Sequence, residues 1–301
     1  MVEIEQLASQ ERLKHIQDHI DRMPSLSTTV TKVLEVCNHP NSSPNDLNRV
    51  ISLDPVLTGQ VLRLVNSAYC SPSTQIVSLT RAIVILGLNT VKNLALTTAI
   101  LATVGKKESF HSLPMDPFWR HSICVAVSAR FIAGLVGAPR AAREEYFIAG
   151  LVHDLGKIPL NSCFPRHYKK ILEVAQRTCV PLHTVESSIF GFDHGLVGKM
   201  IAEKWHLSGV ITSSLSRHHD IGNIDDVETR RSIAIVALAN LYGNVYDYGS
   251  AGDSHPSPDA LYEALQVAGI DWHDLADLNQ VVEDEIAKAQ VFLRISSELK
   301  A

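Results

Sequence analysis

The stretch D-P-V-L-T-G-Q-V-L-R-L-V-N-S, residues 54–67, predicts the fold class of this chain. Its first two residues are typical of a helix start, because aspartate caps the first turn and proline fits its first position. Leu57, Val61 and Leu64 then recur at helical spacing and form one apolar face. The stretch therefore reads as an amphipathic helix with a defined beginning.

Similar start signals recur along the chain, whereas strand patterns are almost absent. Prolines follow Ser43 and Asp116, and Ser78 and Asn89 each precede a further apolar segment. We predict an all-α protein. Later helices are expected near residues 115–138, 141–154, 164–178, 193–205, 208–219, 228–247 and 278–298.

Composition narrows the function classes. The 301 residues are 46% hydrophobic and 20% charged, with a formal net charge of −5, which disfavours a broad nucleic-acid surface. The start of the chain shows no signal peptide, and Arg81 and Lys92 interrupt the most apolar stretch, residues 76–104. The five cysteines form no C-x-x-C pair. We expect a cytoplasmic protein with neither a nucleic acid nor a membrane as partner.

Two polar segments suggest the domain organisation. Residues 105–114 separate a compact helical part from a histidine-bearing part, and residues 248–258 are rich in glycine, serine and proline. The predicted parts are an N-terminal helical part, a metal-binding helical core and closing C-terminal helices, at 1–110, 111–250 and 251–301.

The segment G-L-V-H-D-L-G-K-I-P-L, residues 150–160, places His153 and Asp154 side by side in an apolar stretch. A buried carboxylate without a partner is very costly, so it should be paired or bound to a cation. Gly156 suggests that a helix ends there. Lys157 follows Asp154 by three residues and is placed to reach either that carboxylate or the phosphate of a ligand.

Four other histidines are candidate ligands, and each also has an ordinary explanation. His121 is early in a long apolar helix, where a satisfied core histidine is common. His194 is near a helix start and suits a cap or a surface position. His218 and His219 end an amphipathic helix, where cationic residues are favoured by the helix dipole.

Together these residues follow the order H…H-D…H…H-H, which resembles the HD-domain metal-dependent phosphohydrolases, including the HD-GYP branch. The resemblance implies divalent metal, with iron first and manganese or magnesium as alternatives, and a catalytic role for Asp154 and Lys157. The sequence departs from that family at Asn240, where an aspartate is usual, and it lacks the G-Y-P signature. The implied metal ligands are His121, His153, Asp154, His194, His218 and His219.

The N-terminal half resembles the HDOD domain, a regulatory relative of that superfamily. The matching segments are M-P-S-L-S, then L-D-P-V-L-T-G-Q-V-L-R-L-V-N-S, then I-V-S-L-T-R-A-I-V-I-L-G. This resemblance implies an N-terminal helical subdomain packed on an HD-type helical core. We expect structural roles for Asp54 and Asn66, as a helix cap and as a partner of backbone groups.

Three functions remain open on the sequence. The first is a regulatory HDOD protein that holds a metal ion and binds a signalling protein or a phosphorylated small ligand. The second is an active metal-dependent phosphohydrolase or phosphodiesterase acting on a nucleotide or cyclic nucleotide. The third is a structural interaction module whose histidines converge by coincidence, and the retained ligand order disfavours it.

Overall fold

The chain folds into helices joined by short turns. A computed structural model describes residues 8–66, 75–104, 110–207, 209–253, 255–284 and 286, and these contain no strand. The predicted all-α class is thus confirmed. The α-helices are α1 (Ser9–Arg22), α2 (Thr28–Asn38), α3 (Pro44–Ile51), α4 (Pro55–Val65), α5 (Leu79–Leu86), α6 (Leu88–Val104), α7 (Met115–Leu135), α8 (Arg140–Val152), α9 (Lys157–Cys163), α10 (Pro165–Thr178), α11 (Leu182–Phe190), α12 (His194–Lys204), α13 (Gly209–Arg217), α14 (Val227–Val245) and α15 (Pro258–Ala268). A short 3-10 helix, Trp272–Leu275, and a helical stretch over 278–284 follow.

The helices form two compact units. The larger unit comprises residues 1–23 and 106–283, and the smaller comprises residues 24–105 and 284–301. The larger unit therefore includes α1 and residues 251–283, which the three-part sequence division assigns to other parts.

Helix α1 packs within the larger unit against α9 and α12. Its apolar stripe buries Ile16 and Ile20 completely. The ammonium of Lys204 in α12 donates to the carbonyls of Ile20 and Asp21, which are near the end of α1. Burial of this stripe and satisfaction of these carbonyls explain why α1 joins helices that are distant in sequence.

Several helix starts agree with the prediction. The side chains of Ser43, Asp54 and Ser78 each accept a hydrogen bond from a backbone N–H in the first turn of the following helix. The predicted caps at Asp116 and Asn89 are wrong, because neither residue precedes its helix. Both residues are in the first turn of their helices, since α7 begins at Met115 and α6 at Leu88.

Asn66 closes the end of α4 in the smaller unit. Its side-chain amide donates to the carbonyls of Leu62 and Ile76, at 2.8 and 2.7 Å, and its oxygen accepts from Ile76 N at 2.7 Å. These three bonds confirm the expected structural role and fix the segment before α5 to the end of α4.

Among the described residues no single helix combines the length and hydropathy needed to cross a membrane. The pair formed by α5 and Leu88–Ile100 passes that test only when taken together, by length and composition, and it bends by 103° at its break.

Candidate metal centre

The six predicted ligands are brought together inside the larger unit. They come from α7, from the turn at 153–156 between α8 and α9, from the first residue of α12, and from the turn after α13. Five of the six side chains are fully or almost fully buried, and His219 is half-buried. Their ligand atoms form two groups that share Asp154. One group is Asp154, His194, His218 and His219, and the other is His121, His153 and Asp154.

A close helix approach at Gly156 makes this convergence geometrically feasible. A Cβ at this position would lie 2.0 Å from the carbonyl oxygen of His194 and 2.7 Å from the backbone nitrogen of Gly198. The φ of Gly156 is −63°, and α8 already ends at Val152. The expectation that Gly156 terminates a helix is therefore wrong, and the glycine is needed because backbone of α12 lies against it.

The first group surrounds Oδ1 of Asp154. His194 Nε2 lies 3.2 Å and His218 Nε2 3.6 Å from this oxygen. The Nε2 atoms of His194 and His218 are 3.3 Å apart, and those of His194 and His219 are 3.0 Å apart. Bonds of ~2.1 Å to a shared ion give ligand–ligand edges of about 3.0 Å in an octahedron and about 3.4 Å in a tetrahedron. The residues present therefore fit a divalent metal ion.

The ring orientations direct unprotonated Nε2 atoms toward the cluster. His153, His194 and His218 each direct Nδ1 at an oxygen acceptor, which places the proton on Nδ1 and leaves Nε2 as the ligand atom. The acceptors are the Gly150 carbonyl at 2.8 Å, Glu186 Oε2 at 2.5 Å and the Ser214 carbonyl at 2.9 Å, in that order. His153 Nε2 and Asp154 Oδ1 have no hydrogen-bond partner, as expected of atoms arranged to bind a cation.

The second group faces Oδ2 of Asp154 and is more crowded. His153 Nε2 lies 3.2 Å and His121 Nε2 4.0 Å from Oδ2. His121 Nε2 is also 3.0 Å from the side-chain oxygen of Asn240. That oxygen accepts a second hydrogen bond from Asn244 Nδ2 at 3.2 Å.

Lys157 is fully buried and its ammonium has three oxygen acceptors. These are Asp154 Oδ2 at 2.9 Å, Asp253 Oδ2 at 2.6 Å and the Ala251 carbonyl at 3.1 Å. An ammonium has three N–H donors, so all of them are engaged. The sequence expectation of a carboxylate contact agrees with this geometry. The role at a ligand phosphate stays a prediction, and it would require one of these bonds to break.

A second buried carboxylate, Glu186 of α11, supports His194 from behind. Besides the bond to His194 Nδ1, it accepts from His194 N at 2.9 Å and from the Tyr168 hydroxyl at 2.8 Å. The sequence prediction missed Glu186 and Asp253. The only available signal for Glu186 was an acidic residue inside an apolar helix, since Leu182, Val185 and Phe190 of α11 are buried.

His183 is a further histidine that was not predicted. Its ring stacks on that of His219, with centroids 4.1 Å apart and an interplanar angle of 15°. These two rings are half-buried, whereas the other histidines of the cluster are buried. Solvent therefore approaches the cluster at the His183–His219 edge.

The pKa shifts differ among the candidate ligands. Burial lowers the pKa of His121 and of His218 to about 4. At His194 burial acts in the same direction, but the adjacent Glu186 and Asp154 carboxylates outweigh it and raise the pKa to about 10. Burial would raise the pKa of Asp154, but His153 and Lys157 hold it well below its ordinary value.

Comparisons with known proteins agree with this architecture. The family model described as "HDOD domain" matches residues 23–221. A curated uncharacterized protein from Treponema pallidum (strain Nichols) is 25% identical over 228 residues, which are 75% of this chain. The match covers 43% of that relative's own length.

Two solved structures show the same fold. An HDOD domain protein of unknown function from Geobacter sulfurreducens is 24% identical with a TM-score of 0.67, and the match covers 96% of this chain and 97% of that one. A candidate signal transduction protein from Marinobacter aquaeolei VT8 is 20% identical with a TM-score of 0.74, over 96% of this chain and 66% of that one.

Proposed function

The chain belongs to the HDOD family, and on that premise we propose that it is a regulatory signal-transduction protein whose HD-type site binds a divalent metal ion. One observation carries the proposal. Three imidazole Nε2 atoms and Asp154 Oδ1 converge at ligand–ligand spacing in a buried site where Oδ1 accepts no hydrogen bond.

The donor set favours iron as the ion. Three imidazoles and one carboxylate suit Fe(II) and, after it, manganese, whereas magnesium takes oxygen ligands and retains its waters. A bound ion would join the turn before α9, the start of α12 and the turn after α13. Occupancy of the site would then stabilise the packing of these helices, which gives a regulatory protein a state that differs with metal content.

The partner in this proposal is a signalling protein or a phosphorylated small ligand. The half-buried His183 and His219 are where such a ligand would approach the cluster. A divalent ion there would supply Lewis-acid attraction for phosphate oxygens. His219 would hold the ion at this edge, and the His183 ring would cover the outer face of His219.

Metal content of the purified protein tests the proposal. We expect stoichiometric iron by elemental analysis of wild-type protein, and loss of most of it in Asp154→Ala because both ligand groups share that carboxylate. Asp18→Ala is the matched control, since Asp18 is exposed on α1. Wild-type protein that binds neither iron nor manganese after reconstitution would refute the metal site.

A second candidate function is metal-dependent phosphoester hydrolysis. The observation that favours it is the second ligand group, His121 and His153, which shares Asp154 with the first group. Two adjacent ions are a common arrangement in phosphoester hydrolysis. Phosphomonoesters and cyclic mono- and dinucleotides should be tested with Mn²⁺ or Fe²⁺, and turnover no higher than that of Asp154→Ala would exclude this function.

A further inference from the structure

The two oxygens of Asp154 have different surroundings. Oδ1 accepts no hydrogen bond and faces the Nε2 atoms of His194 and His218. Oδ2 accepts a 2.9 Å hydrogen bond from the Lys157 ammonium, which is itself anchored by Asp253 at 2.6 Å. A cation is therefore already bound at Oδ2, whereas Oδ1 faces imidazole nitrogens.

His121 is unsuited to complete a second ion site. The Asn240 oxygen accepts from Asn244 Nδ2, which identifies it as the acceptor of the amide, so the proton of the 3.0 Å contact comes from His121 Nε2. An imidazole nitrogen that carries a proton has no lone pair for a metal. On the Oδ2 side this leaves His153 Nε2 and an oxygen that already bonds Lys157.

The buried charges also favour a single ion. Asp154, Glu186 and Asp253 are carboxylates in or beside the cluster, and Lys157 is the ammonium among them. A bound ion displaces the proton from His194, so the three carboxylates and the ammonium then sum to a formal charge of −2. One divalent ion neutralises this charge, while a second would leave two uncompensated positive charges in a buried place, which is costly.

We infer, building on the proposed metal function, that the centre takes a single divalent ion, held by Asp154 Oδ1, His194, His218 and His219. In this arrangement Lys157 serves as a permanent second cation at Oδ2, and Asp253 holds it there. The Asn240 side chain keeps His121 as a hydrogen-bond donor. The site thus differs from the two-ion centre that the resemblance implies by an amide in place of a carboxylate at position 240.

Metal stoichiometry tests this inference on the full chain. Wild-type protein titrated with Mn²⁺ should bind a single ion, and its electron paramagnetic resonance spectrum should show isolated Mn²⁺ without spin coupling. His121→Ala should retain that ion, and His218→Ala should lose it. Two ions in the wild type, or loss of the ion from a folded His121→Ala protein, would overturn the inference and leave the proposed metal function intact.

The double variant Lys157→Gln/Asn240→Asp provides a second measurement that needs no ligand deletion. It removes the ammonium from Oδ2 and adds a negative ligand at 240, so it should bind a second Mn²⁺ and show a spin-coupled signal. Retention of a single Mn²⁺ by the folded double variant would contradict the roles assigned to Lys157 and Asn240. Circular dichroism of each variant checks folding, and wild-type protein that binds neither Mn²⁺ nor Fe²⁺ would refute the proposed function itself.

Discussion

Replacement of Gly156 by alanine should disturb both stability and metal binding. The added Cβ would lie 2.0 Å from the His194 carbonyl oxygen, whereas Cβ contacts essentially never fall below 3.0 Å and ordinary van der Waals contacts begin at 3.4 Å. The start of α12 must therefore move away from the turn at 153–156 by about 1.0 to 1.4 Å, because all three atoms that the Cβ meets are backbone. No flexible side chain takes part in this contact, so a change of rotamer cannot relieve the strain.

The expected cost follows from this geometry. Overpacking typically costs ~1–3 kcal/mol, and a backbone obstacle places Gly156→Ala near ~3 kcal/mol. For a unit of this size that corresponds to a fall in Tm of about 6–12 °C. His194 moves with the start of α12, so we also expect metal affinity to fall by about 10–100-fold.

Differential scanning calorimetry and Mn²⁺ titration measure the two effects. Gly209→Ala is the matched control within the same unit, since a Cβ at Gly209 meets nothing within 4 Å. If Gly156→Ala melts within about 2 °C of the wild type and binds Mn²⁺ equally well, the proposed helix contact does not constrain the site.

Glu186→Gln should weaken Mn²⁺ binding by about 10–100-fold while the helical circular dichroism spectrum persists, because the neutral amide orients the supported imidazole less well; unchanged affinity would contradict the positioning role. Asn66→Ala loses three hydrogen bonds and should lower the free energy of unfolding in urea by roughly 2–4 kcal/mol, whereas the exposed Asn41→Ala should change it by under ~0.5 kcal/mol. Asp253→Asn should cost roughly 3 kcal/mol at pH 7 by breaking the buried contact to Lys157. Burial opposes ionisation of Asp253, but the Lys157 ammonium outweighs burial and lowers the pKa of the carboxyl group below 3.8. The stability advantage of the wild type over Asp253→Asn is therefore present above pH 3.8 and is lost as the pH falls through the folded-state pKa. An advantage that grows in acid would refute the ion pair.

Local sequence signals predicted most of the helical framework. The capping residues Ser43, Asp54 and Ser78 identified helix starts because the bond from side chain to backbone spans only three residues. Errors at Asp116 and Asn89 were small, since any position in the first turn leaves the backbone N–H unpaired and tolerates similar residues.

The convergence of the histidines was predictable only from their order along the chain. The residues that support them, Glu186 and Asp253, could not be predicted in this way. Glu186 and Asp253 are polar residues whose roles depend on contacts 8 and 96 residues away, to His194 and Lys157. No local periodicity encodes such contacts. Gly156 illustrates the same limit, because the sequence shows a glycine but not the helix that lies against it.

The position of α1 has a consequence for synthesis of the chain. The helix is made before its packing partners, α9 and α12, which begin at residues 157 and 194. At a translation rate of ~5–20 residues per second, the chain takes about 7–27 s to extend from the end of α1 to the start of α9. During that interval Ile16 and Ile20 lack their final burial, so the nascent chain presents an amphipathic helix that chaperones can bind.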